Sequence, residues 1–112
     1  MSLEIAVSEQ NKVRLLQVSG RVDSISADEL HAALVDCITN ARHQVVVDLQ
    51  DVEYMSSAGL RELVSALKQV NKQEGDLRLA NPSARVMEVL ELAGLDSIFK
   101  IFPTLSDAIG SF

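Results

Sequence analysis

Three consecutive valines, Val45-Val46-Val47, open a stretch in which apolar and polar residues do not alternate. A strand with one face in water alternates, so a continuous apolar run indicates a strand that is covered on both faces. Strands of this kind lie at the centre of parallel sheets, where helices pack on the sheet. The chain is therefore expected to have an α/β fold built around residues 45–49.

Apolar periodicity and turn residues predict the other elements of this sheet. The expected strands cover residues 3–7, 13–18, 77–80 and 98–102; the first two form a hairpin through Gln10-Asn11, and Ser19-Gly20 ends the second. The expected helices begin at a capping box of Ser26 and Glu29, at Ser57, at Asn81-Pro82 and near Ser106. Strands alternating with about four helices predict one domain over residues 1–112, with a mixed, mostly parallel sheet and an N-terminal hairpin.

The buried faces of the helices follow from the same periodicity. The first helix is expected to bury Leu30, Ala33, Leu34, Cys37, Ile38 and Ala41. The helix after the central strand is expected to bury Leu60, Leu63, Val64 and Leu67, and to expose Arg61, Ser65, Lys68 and Lys72. Gly75 and Gly94 are expected to end the second and third helices, Gly75 in a left-handed conformation.

Two serines and a glycine stand where the second helix begins. Helix N-termini carry free N–H groups and the positive end of the dipole, so Ser56 and Ser57 lie where a phosphate would be stabilised. One interpretation is simple capping, for which serine is a favoured residue. The other is that one hydroxyl carries a phosphate itself. Gly59 favours the second interpretation, because a glycine there is expected to leave a bare surface for another protein backbone.

In parallel sheets the functional crevice lies beyond the C-terminal ends of the strands. Two loops are expected at that edge, residues 51–57 and residues 81–83. Asp23 follows the second strand and is also expected near the start of the second helix. It is interpreted either as an exposed turn residue or early cap, or as part of a functional surface.

Composition narrows the class of protein further. There is one cysteine, no apolar run long enough for a membrane helix and no N-terminal secretion signal, so a cytoplasmic protein is expected. Sixteen acidic against ten basic residues give a net charge of −6, which predicts no binding to nucleic acid and no insertion into membranes. The expected partners are protein surfaces or small molecules.

Residues for catalysis do not form a recognisable set. His31 and His43 have no neighbours at metal-ligand spacing, and Cys37 lies on a buried helix face. Asp48 and Asp51 are acidic but lack the basic partner of a Mg²⁺-dependent phospho-acceptor site. No phosphate loop, dinucleotide fingerprint or hydrolase elbow occurs in the sequence. The chain is expected to be no enzyme and to hold no metal or cofactor.

Three segments resemble those of the STAS domain, the fold of bacterial anti-sigma factor antagonists and of the cytoplasmic tails of sulfate transporters. They are Val18-Ser19-Gly20-Arg21-Val22-Asp23, Val46-Val47-Asp48-Leu49 with Val52, Tyr54 and Met55, and Ser56-Ser57-Ala58-Gly59-Leu60. The last segment is similar to the serine box of the antagonists. The resemblance covers essentially the whole chain.

The resemblance to the antagonists implies a partner-switching function. Their partner is an anti-sigma factor that is also a serine kinase using ATP, and a phosphatase reverses the phosphorylation. Aligned on Met55 and Gly59-Leu60, the phosphorylated residue is Ser57, while Ser56 stands where an aspartate often stands. The implied partner interface comprises Asp23, Ser56, Ala58, Gly59, Leu60 and Arg61.

Two other functions stay open on sequence alone. The chain could be a non-catalytic STAS scaffold or accessory subunit of a transporter or lipid-trafficking complex, in which the serine box is only an interface. It could also bind a small molecule or nucleotide, for which the expected crevice is the sole support. The absence of a membrane segment from the sequence disfavours a transporter tail but not a separate subunit. Sequence gives no indication of the oligomeric state.

Overall fold

In the described part of the chain, five strands form one sheet in which neighbours in space are also neighbours in sequence, β1-β2-β3-β4-β5. The computed structural model describes residues 3–39 and 44–112. The elements are β1 (Leu3–Gln10), β2 (Val13–Val22), α1 (Ala27–Thr39), β3 (Gln44–Met55), α2 (Ser57–Lys72), β4 (Asp76–Ala80), α3 (Ala84–Leu92), a 3₁₀ turn (Leu95–Ser97), β5 (Ile101–Phe102) and α4 (Leu105–Gly110). The predicted Ala41 and His43 lie outside the described residues.

The predicted fold class is confirmed. β1 pairs antiparallel with β2, and every later pairing between neighbouring strands is parallel. Helices α1, α2 and α3 cover one face of the sheet, with Leu34, Leu63 and Leu90 packed in one cluster. Helix α4 packs on the other face through Ala108 and Ile109. The sheet is thus covered on both faces at its centre.

The valine run lies where its composition predicts. β3 has β2 on one side and β4 on the other, and all three valines are fully buried. Val45 and Val47 point toward α1–α3, whereas Val46 points toward α4. Because successive side chains alternate across a strand, three adjacent apolar residues require apolar neighbours on both faces.

The predicted ends of the first strands are wrong. The hairpin turn is Asn11-Lys12, both with positive φ (52° and 67°), rather than Gln10-Asn11. Ser19-Gly20 does not end β2, which continues to Val22 because two irregularities in its pairing with β3 absorb the break. At the first irregularity, the Asp48 carboxylate accepts a hydrogen bond from the Gln50 backbone N–H (3.1 Å).

Three other predicted boundaries change for local reasons. Helix α2 ends in a Schellman motif in which Glu74 takes the left-handed φ (65°), and Gly75 follows it, donating to the Val70 carbonyl (2.9 Å). Asn81 also has positive φ (49°), so α3 begins after Ser83 rather than at Asn81-Pro82. β5 is only Ile101–Phe102, shorter than predicted, because a 3₁₀ turn precedes it.

The predicted helix faces agree with the structure. Leu60, Leu63 and Leu67 are buried, Val64 is half-buried, and Arg61, Ser65, Lys68 and Lys72 are exposed. In α1, Leu30, Leu34, Cys37 and Ile38 are buried, and Ala33 is partly buried against the same core. Gly94 is left-handed (φ 74°) and directly follows Ala93, the C-cap of α3, so the helix ends at Gly94 as predicted.

Candidate functional site

The candidate site lies where β2 and β3 end at the same edge of the sheet. Val22 pairs with Met55, the last residue of each strand. The Ser56 backbone N–H then donates to the Val22 carbonyl (2.8 Å). This bond ties the loop that begins at Asp23 to the start of α2, so the two segments are side by side.

The two serines of the site have different surroundings. Ser56 is the N-cap of α2, and its hydroxyl accepts a hydrogen bond from the Gly59 N–H (3.3 Å). Ser57 is the first residue of the helix, as predicted, and it is exposed. Within residues 3–39 and 44–112 its hydroxyl makes no hydrogen bond. The structure therefore commits Ser56 to capping and presents a second hydroxyl to solvent.

The surface role that the sequence predicted for Gly59 is wrong. Gly59 is buried, and a Cβ at this position would lie 2.5 Å from both Met55 Sδ and Val22 Cγ1. The glycine is needed because the first turn of α2 packs directly on the strand ends. Leu60 is also buried (6% exposed) and belongs to the main core, so neither residue is available to a partner.

The other residues of the predicted interface are accessible to different degrees. Arg61 is exposed, one turn after Ser57 and on the same face of α2. Ala58 and Ser56 are half-buried. The accessible part of this segment is thus small and centred on Ser57, with the Arg61 side chain at one edge.

Asp23 organises the loop between β2 and α1. Its Oδ1 accepts hydrogen bonds from the Ile25 N–H (3.0 Å) and the Ser26 N–H (2.9 Å), and it lies 3.0 Å from the Ser26 hydroxyl. These bonds, the Ser26 N–H first among them, lower the pKa of the Asp23 carboxyl below its usual value.

The capping box predicted for α1 is wrong. The Ser26 hydroxyl is turned back toward the strand, where it accepts from the Asp23 N–H (2.9 Å) and lies 2.9 Å from the Arg21 carbonyl. The helix itself begins at Ala27, as expected with Ser26 in the N-cap position, and the Ser26 carbonyl accepts from the Glu29 N–H (3.0 Å); only the side-chain bond of the capping box is wrong. Ser26 is almost completely buried (1% exposed), so its bonds hold the loop against the body of the protein.

Sequence reasoning missed two features of this edge. The Arg21 guanidinium stacks over the Tyr54 ring at 4.7 Å, a pairing that depends on the strand irregularities and could not be predicted without them. Ile25 is 84% exposed in the Asp23 loop. Its only sequence signal was a lone apolar residue between two serines.

The remaining candidates for chemistry lie apart from this site. Cys37 is fully buried in the core, and desolvation raises the pKa of its thiol to about 11. His31 Nδ1 lies 2.6 Å from Glu62 Oε1 and links α1 to α2. Among the described residues, no group of three or more histidine, cysteine, aspartate or glutamate side chains is placed to hold a metal ion.

A cleft of about 680 Å³ opens near the same edge of the sheet, and Ser57 is not among its lining residues. Its charged side chains are Glu4, Asp51, Glu53 and Arg85. Three carboxylates against one guanidinium disfavour an anionic ligand such as a nucleotide. The cleft therefore gives the small-molecule interpretation little support.

Comparison with known proteins identifies the family. The STAS domain model matches residues 4–108, and the chain belongs to the STAS domain family. No helix in the described ranges is long and apolar enough to cross a membrane.

Three relatives illustrate the likeness. An anti-sigma-F factor antagonist, RsfB, of Mycobacterium tuberculosis is 30% identical, over 96% of this chain and 88% of its own length. A protein of Bordetella bronchiseptica, provisionally named anti-sigma factor antagonist BtrV, is 35% identical over 85% of this chain and 82% of its own. The crystal structure of an anti-sigma factor antagonist from Mycobacterium paratuberculosis superposes with a TM-score of 0.91 at 28% identity, covering 98% and 93% of the two chains.

Proposed function

We propose that this chain is an anti-sigma factor antagonist that binds an anti-sigma factor in its unphosphorylated form and is released when that partner, acting as a serine kinase with ATP, phosphorylates Ser57. A phosphatase returns the chain to its binding form. The observation that carries the proposal is the exposed hydroxyl of Ser57, which makes no hydrogen bond within the described residues and lies beside a serine already used as the cap. The names of the related proteins support the same function.

The position of Ser57 suits a reversible modification. A phosphate there would meet the positive end of the α2 dipole, worth about 0.3–1 kcal/mol at an exposed site. Arg61 lies one turn further along the same exposed face. Because the phosphate would be stabilised locally, its addition should leave the domain folded.

The effect of the phosphate is expected on binding instead. A phosphate carries about −1.5 to −2 charges at neutral pH, and a partner surface that fits a neutral hydroxyl is expected to offer it no matching cation. Placing an unpaired charge in a desolvated contact costs several kcal/mol, and each 1.4 kcal/mol is about tenfold in affinity. Phosphorylation would thus act as a switch on affinity and not on folding.

The test is incubation with a purified anti-sigma factor kinase from the same genome and ATP, followed by mass spectrometry of the labelled protein. Ser57→Ala should bind the partner and resist labelling, whereas Ser57→Asp should bind weakly while folded. Ser56→Ala should still be labelled. Ser65→Ala, which removes another exposed serine of α2, is the matched control and should behave like the parent.

Two results would contradict the proposal. If Ser56→Ala loses labelling and Ser57→Ala keeps it, the modified residue is Ser56. If neither serine is labelled and both variants bind like the parent, the switch fails and the scaffold or accessory-subunit function replaces it.

A further inference from the structure

One exposed apolar side chain lies in the loop that is bonded to the start of α2. Within the described ranges the large exposed apolar residues are Ile25 (84%), Leu92 (84%), Ile98 (53%) and Val7 (43%). Isolated apolar residues are common on protein surfaces, so exposure alone indicates nothing. Ile25 differs from the others in how its backbone is held and in what it adjoins.

Ile25 is held in a fixed position. Asp23 Oδ1 accepts hydrogen bonds from its N–H and from that of Ser26, and the Ala27 N–H donates to the Asp23 carbonyl (2.9 Å). The buried hydroxyl of Ser26 fastens the same loop to the end of β2. A backbone that is already ordered loses little conformational freedom when a partner covers its side chain.

The loop also adjoins the start of α2. The bond from the Ser56 N–H to the Val22 carbonyl joins the two segments one residue before Asp23. Leu92, equally exposed, ends α3. Since α3 runs back from the C-terminal edge of β4 toward the start of β5, Leu92 lies at the opposite edge of the sheet. Ile25 therefore shares an edge with Ser57, and Leu92 does not.

We infer that Ile25 is an apolar anchor that enters a hydrophobic pocket of the anti-sigma factor, and that Asp23 is the positioning residue that holds it there. The inference rests on the proposed function and identifies a second part of the same interface. An apolar contact next to Ser57 would exclude water from the hydroxyl, which strengthens the penalty for a phosphate. Asp23 would then act through Ile25 and not by touching the partner.

The first experiment measures the dissociation constant for a purified anti-sigma factor from the same genome by calorimetry, with unphosphorylated protein. Ile25→Ala is expected to weaken binding about tenfold or more, as truncation of a central anchor does. Leu92→Ala removes an equally exposed side chain from the far edge and should change affinity by less than about twofold. Equal affinities for the two variants would overturn the inference.

The second experiment separates positioning from direct contact at Asp23. Asp23→Asn keeps an oxygen that can accept the same backbone hydrogen bonds and should bind like the parent, whereas Asp23→Ala should weaken binding. In an Ile25→Ala background, Asp23→Ala should have no further effect, because the side chain that it positions is absent. If Asp23→Asn binds as weakly as Asp23→Ala in both backgrounds, the carboxylate contacts the partner itself and the positioning role is wrong.

Failure of this inference can be told from failure of the proposed function. If the parent binds the anti-sigma factor, is labelled on Ser57 and loses nothing on Ile25→Ala, only the anchor is wrong. If the parent neither binds nor is labelled, the proposed function fails, and the anchor fails with it.

Discussion

Helices α2 and α3 begin at the same edge of the sheet with the same cap, yet only α2 presents a second hydroxyl. The Ser56 hydroxyl accepts from the Gly59 N–H and the Ser83 hydroxyl from the Val86 N–H, both at 3.3 Å. The next residue is exposed in each helix, but it is Ser57 in α2 and Ala84 in α3. Capping therefore accounts for Ser56 and Ser83, whereas the Ser57 hydroxyl has no bonding role among the described residues.

The two helices also differ two residues further on. Val86 is a fully buried core residue, whereas the equivalent position in α2 is Gly59, against which Met55 and Val22 pack. A single residue connects β3 to α2, while three connect β4 to α3. The shorter connection presses the first turn of α2 onto the strand ends and leaves no room for a side chain.

The largest expected effect is on Gly59. Gly59→Ala should lower the free energy of unfolding by about 1–3 kcal/mol, because the new Cβ displaces Val22 and Met55 from a packed core. Urea unfolding followed by circular dichroism measures the change. Gly110→Ala is the matched control, since nothing lies within 4 Å of its added Cβ. A Gly59→Ala protein as stable as the parent would mean that the helix start is not closely packed.

The next largest losses of stability are expected when the two N-cap serines are replaced. Ser56→Ala and Ser83→Ala each remove an N-cap, which costs about 1 kcal/mol. The Ser83 hydroxyl also donates to the Val52 carbonyl (3.1 Å), a bond worth about 0.5–1.5 kcal/mol, so Ser83→Ala should be the more destabilising change. The same urea experiment ranks them. The opposite ranking would show that Ser56 has a structural role beyond its cap.

The predictions that were confirmed concern features set by residues close together in the sequence. The central position of Val45–Val47 follows from the missing alternation, and the exposure of Arg61 and burial of Leu63 follow from helical periodicity. The cap of α2 is visible in the sequence as a serine that precedes an apolar stripe. The candidate serines and the family resemblance therefore follow from the order of the residues alone.

The predictions that were wrong or missing concern contacts between residues that are not adjacent in the sequence. Gly59 was expected to face a partner, but the end of β2 packs against it through Val22, a contact that no local pattern reveals. The Arg21–Tyr54 contact depends on irregular strand pairing. Ser26 matched a capping box, but the competing bonds to Asp23 and Arg21 decided its orientation.

Asp23, in the loop that precedes α1, is expected to make the stability of the fold depend on pH in the acid range. The pKa of Asp23 is lowered in the folded protein, mainly by the Ser26 N–H bond, so its ionised form stabilises the fold. That contribution is complete above the unfolded pKa and is lost as pH falls through the lower, folded pKa. As the pH falls from about 5 to about 2, the free energy of unfolding should therefore decrease less for Asp23→Asn than for the parent. Parallel thermal melts across this range test it, and identical slopes would contradict it.

The smallest expected effect is on Ser57, and it bears most directly on the comparison. Ser57→Ala and the reciprocal Ala84→Ser should each change the free energy of unfolding by less than about 0.5 kcal/mol, because both positions are exposed. Ser57→Asp should raise the free energy of unfolding by about 0.3–1 kcal/mol, because the helix dipole favours a negative charge at this end. Thermal melts at low ionic strength would detect these differences.

The Ala84→Ser variant also tests whether a serine at a helix start is sufficient for recognition by the kinase. It places a hydroxyl after a capping serine at the same edge of the sheet, but next to Ser83 and Arg85 rather than in the segment that is bonded to the end of β2. In a Ser57→Ala background, the kinase should leave this serine unlabelled, because the surface around it differs. Labelling at residue 84 would mean that the helix start alone is recognised, and the Asp23 loop would then have no part in choosing the serine.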